Sequence, residues 1–192
     1  MKRRMILASS SPRRKELLNQ IGLKFDILPS EYKEDMTKNL TSEVLAKELA
    51  HGKAQAVAKK VRSGVVIGCD TFIEHKKKRI GKPKNKKSAA DILKNISGQT
   101  IRIYSGIAII DVDEKKELVD YEMTKIKIKK LSQKEIDAYV ETGEPLDKAG
   151  AFAIQGRGAI FIEKIEGCYS NVVGMPLYKL YNNLQKLDIE IL

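Results

Sequence analysis

The chain has 192 residues, 42% of them hydrophobic, and a formal net charge of +11. That supplies a real core, as one domain or two tightly joined lobes. The two cysteines, Cys69 and Cys168, lie far apart with no CxxC, so neither a disulfide framework nor a zinc site is indicated. No apolar run approaches the roughly 18 residues of a membrane span, and the opening MKRRMILASSSP has too short an apolar stretch for a signal peptide. A cytoplasmic protein with no membrane partner is expected.

In chain order, residues 4–8 read as a strand and 12–21 as a helix. The linking stretch ASSSPRRKELL (8–18) has Ser11 in position to be an N-cap and Pro12 at the first helical position. Those two roles leave Ser9, Ser10, Arg13 and Arg14 crowding a helix N-terminus. Free N–H groups and a positive dipole end make that a potential anion site, the alternative being a purely structural helix entrance. A second strand follows at 24–28, and a long amphipathic helix at 41–61 is opened by Thr41 or Ser42. VVIGCD (65–70) has the pattern of a buried strand and leads into a hairpin over a lysine-rich stretch. Ser88 is positioned to cap a helix running to about Ile96, ended by Ser97-Gly98.

Two long strands are expected at 101–112 and 117–130, the second alternating as TKIKIKK, then a helix from Ser132 to about Thr142 closed by Gly143. After a glycine-rich passage come a strand at 159–167 and a last helix, MPLYKLYNNLQKL, with Pro176 at its start. Helices interleaved with both single strands and hairpins point to an α/β fold, a mixed twisted β-sheet flanked by helices. The sequence has no internal repeat and no low-complexity linker, so residues 1–192 read as a single domain.

The charge is local. HKKKRIGKPKNKK (75–87) holds eight Lys/Arg and no acid, so it accounts for eight of the eleven net charges. It has no aromatic on which a base could stack, which argues against a nucleic-acid partner. Its lysines read as a solvated hairpin, except that Gly81-Lys82-Pro83 sets turn residues around one lysine.

GxxxxGK[ST], GxGxxG, HExxH and GxSxG are all missing, and with His51 and His75 as the chain's histidines a serine triad is not expected. Carboxylates, lysines, arginines and a metal remain as carriers of chemistry. Asp70 closes VVIGCD, where α/β sheets tend to bind ligands. Its alternative reading is an Asx-turn. Lys53 shares an i+4 row with Leu45, Leu49 and Val57, so it either reaches into a cleft or snorkels to solvent, the second being the default. EPLDKAGAFAIQGRG (144–158) sets Asp147, Lys148, Gln155 and Arg157 among small residues that suit either a tight loop or a close ligand.

SxSPRRxELL from Ser9, GxDT at 68–71, GKP at 81–83, and GEPLDKAGAFAIQGRG at 143–158 followed by NVVGMPL together resemble the Maf family of nucleoside triphosphate pyrophosphatases. The motifs run in order over nearly the whole chain. The double arginine, the lysine of GKP and the glutamine of IQG resemble the branch acting on dTTP and UTP, with CTP or a modified pyrimidine nucleotide as further candidates. Cys69 stands where the family usually has alanine, and AFAIQG where AYGIQG is commoner.

The resemblance implies a two-lobed, ITPase-like fold with a substrate cleft. It implies that Ser9, Ser11, Arg13, Arg14, Lys53 and Lys82 bind phosphate, that Asp70 is catalytic, and that Asp70 and Glu34 hold Mg²⁺ or Mn²⁺. Glu31 and Asp35 lie close enough in sequence to compete with Glu34 for that place. Arg13, Thr71 and Gln155 are associated with base selection, and a homodimer is expected. Two other classes compete: a cell-division (septum formation) regulator acting by protein contact, and a basic nucleic-acid-binding module using residues 75–87.

Overall fold

A computed structural model gives the fold and describes residues 3–191. Strand β1 (Met5–Leu7) is buried throughout and pairs in parallel with β2 (Asp26–Ile27) and β3 (Val65–His75). Continuous burial of this kind suits an interior strand of a parallel ladder. β2 is shorter than expected because it is an edge strand whose only neighbour is three residues long.

Between β1 and β2 runs α1 (Pro12–Gln20), with Ser11 as N-cap and Pro12 first, as its sequence requires. α2 (Ser42–Ala58) starts from Thr41, whose hydroxyl accepts the Val44 N–H at 3.4 Å. β3 runs five residues past the expected end and turns into β4 (Lys78–Ile80) through Lys76-Lys77.

The next helix, α3 (Lys86–Ile96), begins earlier than expected. Asn85, not Ser88, is the N-cap; Ser88 is its reciprocal partner in a capping box, the Ser88 N–H reaching Asn85 Oδ1 at 2.9 Å. β5 (Thr100–Asp111) and β6 (Lys116–Ile128) follow within a residue or two of expectation. α4 (Gln133–Glu141) is opened by a Ser132–Glu135 capping box, and Gly143 beyond it adopts φ 74°, the left-handed C-terminal stop.

Three short 3₁₀ turns (Glu144–Asp147, Ala149–Ala151, Arg157–Phe161) lead into β7 (Ile162–Glu166). The expected strand at 159–167 is therefore half turn. α5 (Tyr169–Val173) was not anticipated, and α6 (Leu177–Gln185) follows Pro176, which is its N-cap rather than its first helical residue. The strands make one seven-stranded sheet in the order β2-β1-β3-β5-β6-β7, with β4 on β3; β3–β4 and β6–β7 are antiparallel, so the sheet is mixed. Among the described residues no helix is long and apolar enough to cross a membrane.

By packing, the chain divides into two compact units. Among the described residues the first holds 3–71, 105–122 and 174–191. Its core includes Ile6, Ala8, Val57, Val66, Ala108 and Ile110. Here α2 lies directly on the sheet through Ala46, Ala50 and Ala54, three alanines one turn apart. A Cβ on Gly68 would meet the Ala50 carbonyl and sit 2.8 Å from Ala54 Cβ; one on Gly106 would meet the Ala46 carbonyl. The two glycines let helix and strands approach as closely as backbones allow. The second unit holds residues 72–104 and 123–173, around Leu93, Ile101, Ile126, Tyr139, Phe152 and Phe161.

Candidate active site

In the first unit, β1 leaves the sheet at Leu7 and the chain turns into α1 over Ser9, Ser10 and Ser11. Ser9 is buried. Its Oγ accepts the Ser11 N–H at 3.2 Å and Arg14 Nη1 at 3.0 Å, which leaves its own O–H to donate. The Ser11 hydroxyl makes no cap bond to the helix, so the first N–H groups of α1 are not satisfied by their N-cap side chain. That is the arrangement an anion site requires.

Arg14 acts inward. Nε donates to the Gly174 carbonyl at 3.0 Å, Nη1 to Ser9, and Nη2 to Thr71 Oγ1 at 3.4 Å. Three of its five donors thus tie the β1–α1 loop to one main-chain carbonyl, Gly174 O, and to the Ser9 and Thr71 hydroxyls. Thr71 is equally engaged, bonded to Ser105 Oγ at 2.7 Å and donating to Gly174 O at 3.1 Å. Cys69 reaches the same carbonyl, Sγ to O 3.3 Å. Burial pushes the Cys69 thiol up, so it stays protonated and donates. The residue at the usual alanine position is therefore a hydrogen-bond donor and not merely a small apolar filler.

Asp70 lies three residues beyond Ile67, where β3 stops pairing with β1. It is buried, and its carboxylate pairs with Lys53. The same ammonium pairs with Glu34 at 2.6 Å. Lys53 therefore reaches inward, its side chain 12% exposed, and the snorkelling expected of a lysine on an apolar row does not occur. The cause is the close seating of α2 on Gly68, which puts Lys53, one residue before Ala54, within reach of Asp70. Of the other acids near Glu34, Glu31 pairs with Lys60 and Asp35 accepts from Thr37. Glu34 alone of the three shares a cation with Asp70 in the described contacts.

In the second unit the GKP turn is held on both flanks. Gly81 O accepts the Gly150 N–H at 3.1 Å and Pro83 is buried, while Lys82 itself is exposed. Gln155 is exposed at the tip of the 153–158 turn. Lys148 pairs with Asp147. Beneath the turn sits Glu144, whose carboxylate accepts from Tyr139 Oη at 2.8 Å, Arg157 N at 3.0 Å and Gly158 N at 3.1 Å.

For a metal, the donors on hand are two carboxylates meeting at one ammonium. Among the described residues no cluster of three or more His, Cys, Asp or Glu is set to hold a metal. A pair of carboxylates fits a hard cation of the Mg²⁺ type, which keeps several waters and takes other ligands from substrate phosphates.

A family model described as Maf-like protein matches residues 4–187. The chain belongs to the Maf family. It is 44% identical over 191 residues, 99% of each chain, to a protein of Ruminiclostridium cellulolyticum named dTTP/UTP pyrophosphatase. Proteins of the same name from Desulforamulus reducens (42% over 189 residues; 98% of this chain, 99% of the other) and Alkaliphilus oremlandii (46% over 179; 93% of each) are similarly close.

Seen as a Maf chain, the motif residues separate by unit. Ser9, Ser11, Arg13, Arg14, Glu34, Lys53, Asp70 and Thr71 belong to the first, Lys82 and Gln155 to the second. Three contacts around these motif residues, two in the first unit and one in the second, were not anticipated from sequence. Gly174 contributes a main-chain carbonyl, which no side-chain pattern reveals. Ser105 sits inside a strand. Glu144 carries a weak signal, an acid directly after the glycine that ends a helix.

Proposed function

We propose that the chain is a nucleoside triphosphate pyrophosphatase acting on dTTP and UTP, producing the nucleoside monophosphate and pyrophosphate. The observation that carries this reading is the Asp70–Lys53–Glu34 cluster, whose Asp70 directly precedes Thr71, an acceptor for Arg14 of α1. It is supported by relatives 42–46% identical over nearly the full chain that bear that name.

The reaction needs positioning and charge neutralisation more than covalent chemistry. The α1 N-terminus, the Ser9 and Ser11 hydroxyls and the Arg13 guanidinium receive the phosphates, with Arg14 fixing the loop that presents them. Lys53 and Lys82 add mobile positive charge. Asp70 orients a water and accepts its proton as the water oxygen attacks the α-phosphorus. The bond from that phosphorus to the bridging oxygen breaks, and pyrophosphate leaves with the electron pair. Asp70 and Glu34 would hold Mg²⁺ or Mn²⁺, which when bound draws charge from the phosphate oxygens. Gln155 reads the pyrimidine edge, since an amide offers donors and an acceptor together; Arg13 and Thr71 assist in selection.

Unpaired cysteines support a cytoplasmic setting, and a homodimer is the proposed assembly, testable by the solution mass. The deciding experiment is pyrophosphate release from a nucleotide panel with and without Mg²⁺. Preferential release from dTTP and UTP is expected; no release from any triphosphate would remove the enzyme reading.

A further inference from the structure

We propose that Glu144 is a positioning residue for Gln155: its carboxylate, together with the Tyr139 hydroxyl, fixes the backbone on both sides of that side chain and thereby sets the base preference. This deepens the reading above and rests on it.

On the far side of Gln155, Glu144 Oε2 accepts the Arg157 N–H at 3.0 Å and Oε1 the Gly158 N–H at 3.1 Å. On the near side, the Ala153 N–H donates to Tyr139 Oη at 3.2 Å, and that hydroxyl donates to Glu144 Oε1 at 2.8 Å. Both feet of the 154–156 turn are therefore anchored to one carboxylate–phenol pair. The Gly156 N–H closes the turn on Ala153 O at 3.4 Å. A Cβ on Gly156 would lie 2.6 Å from the Glu144 carboxyl carbon, so the glycine is what lets the turn rest on the acid.

The hydrogen-bond donors to Glu144 are neutral groups converging from this loop and from α4, with the Lys148 ammonium adding a weaker attraction. Burial works against its ionisation, and the bonds from Arg157, Tyr139 and Gly158 outweigh that and hold the carboxyl below its ordinary value. Gln155 is exposed, so its placement is inherited from the backbone that Glu144 holds. A side chain that reads a base through hydrogen bonds loses discrimination when its anchor shifts by a fraction of an ångström.

The test is a double-mutant cycle on kcat/KM with UTP and ATP, using wild type, Glu144→Gln, Gln155→Leu and the double variant. Glu144→Gln replaces one accepting oxygen by an NH₂ group, so one of the three donors loses its acceptor. The expected result is a loss of about tenfold for UTP and under about twofold for ATP, with under about twofold further loss for UTP when Gln155 is already Leu. Equal losses for both nucleotides, or the same tenfold loss in both backgrounds, would overturn the proposal and leave Glu144 a loop support.

A wild type without pyrimidine preference would instead defeat the base-reading role given to Gln155 above. The UTP arm of the cycle would still decide whether Glu144 acts through Gln155. If Glu144→Gln does not fold, Tyr139→Phe keeps the ring and cuts the Ala153 tether. The same cycle then expects coupling of about threefold, and additive losses overturn the proposal.

Discussion

Lys53 and Asp70 form an ion pair that joins the middle of α2 to β3, and Glu34 shares the same ammonium at 2.6 Å. Two carboxylates converging on one ammonium leave a net negative charge at that point, which suits the water-activating role proposed for Asp70. Asp70→Asn keeps the size and removes the charge. Turnover falls at least ~10²-fold, the lower range for losing a general base, while the thermal transition stays cooperative. Near wild-type turnover would shift the catalytic role to Glu34.

Lys53 competes for those carboxylates with any other cation. Lys53→Ala therefore lowers turnover and yet tightens Mn²⁺ binding to the substrate-free protein. The expected gain is about two- to fivefold, on the order of the ~0.5–1 kcal/mol of the pair that Lys53 makes with the half-exposed Glu34. Free Mn²⁺ followed by electron paramagnetic resonance measures it; weaker binding in the variant would mean that the ammonium assists the metal rather than opposing it.

Lys82 differs from its neighbours in the basic stretch because Gly81 is bonded to Gly150 and Pro83 is buried. Lys82→Ala lowers kcat/KM for UTP by about tenfold or more, the scale of one charge-assisted phosphate contact. Lys77→Ala, on a solvated turn, changes it by less than about twofold, since exposed charges are screened within about 10 Å. Comparable small losses at both positions would remove the special role of Lys82.

The β3–β4 turn carries its own test. His75 pairs with Lys78, so Lys76 and Lys77 are the two central residues, and both have positive φ, 48° and 63°. Such a turn favours Asn-Gly, whereas a side chain in that region costs about 1–2 kcal/mol. Lys76→Asn with Lys77→Gly raises stability by about 1–2 kcal/mol, or roughly 2–4 °C in Tm per kcal/mol, with turnover unchanged. A fall in Tm would show that these lysines make compensating contacts.

How much of this was legible depended on the kind of signal. Period-two and period-3.6 patterns located most strands and helices, and Thr41, Ser132 and Gly143 marked helix ends through chemistry that is local. Ser88 misled because a capping box uses two residues and either can resemble the cap. The 159–167 stretch misled because alternation cannot distinguish a strand from a 3₁₀ turn feeding it. Lys53 was misread for a tertiary reason. Only the alanine row on α2 meeting Gly68 and Gly106 brings it to Asp70, and no single-helix pattern contains that. The motif residues of the first unit that offer a polar side chain were named in advance; Gly174, inside NVVGMPL, was quoted but given no role. The main-chain acceptor that organises two of them and Cys69, Gly174 O, is invisible to any reading of side chains.

That acceptor also orders events in time. Arg14 and Gly174 are separated by 160 residues in the chain, so during synthesis the N-terminal loop is made first and receives its brace near the end. At about 5–20 residues per second the delay is on the order of 8–32 s. Throughout it, β1 and α1 exist without the contact that holds Arg14, Thr71 and Cys69 together, and loop closure over so long a segment carries its own entropic cost. A nascent chain stalled before residue 174 would have its strands and most of its helices but a slack β1–α1 loop, so the order of that loop should arrive late and abruptly as the segment from Gly174 onward emerges.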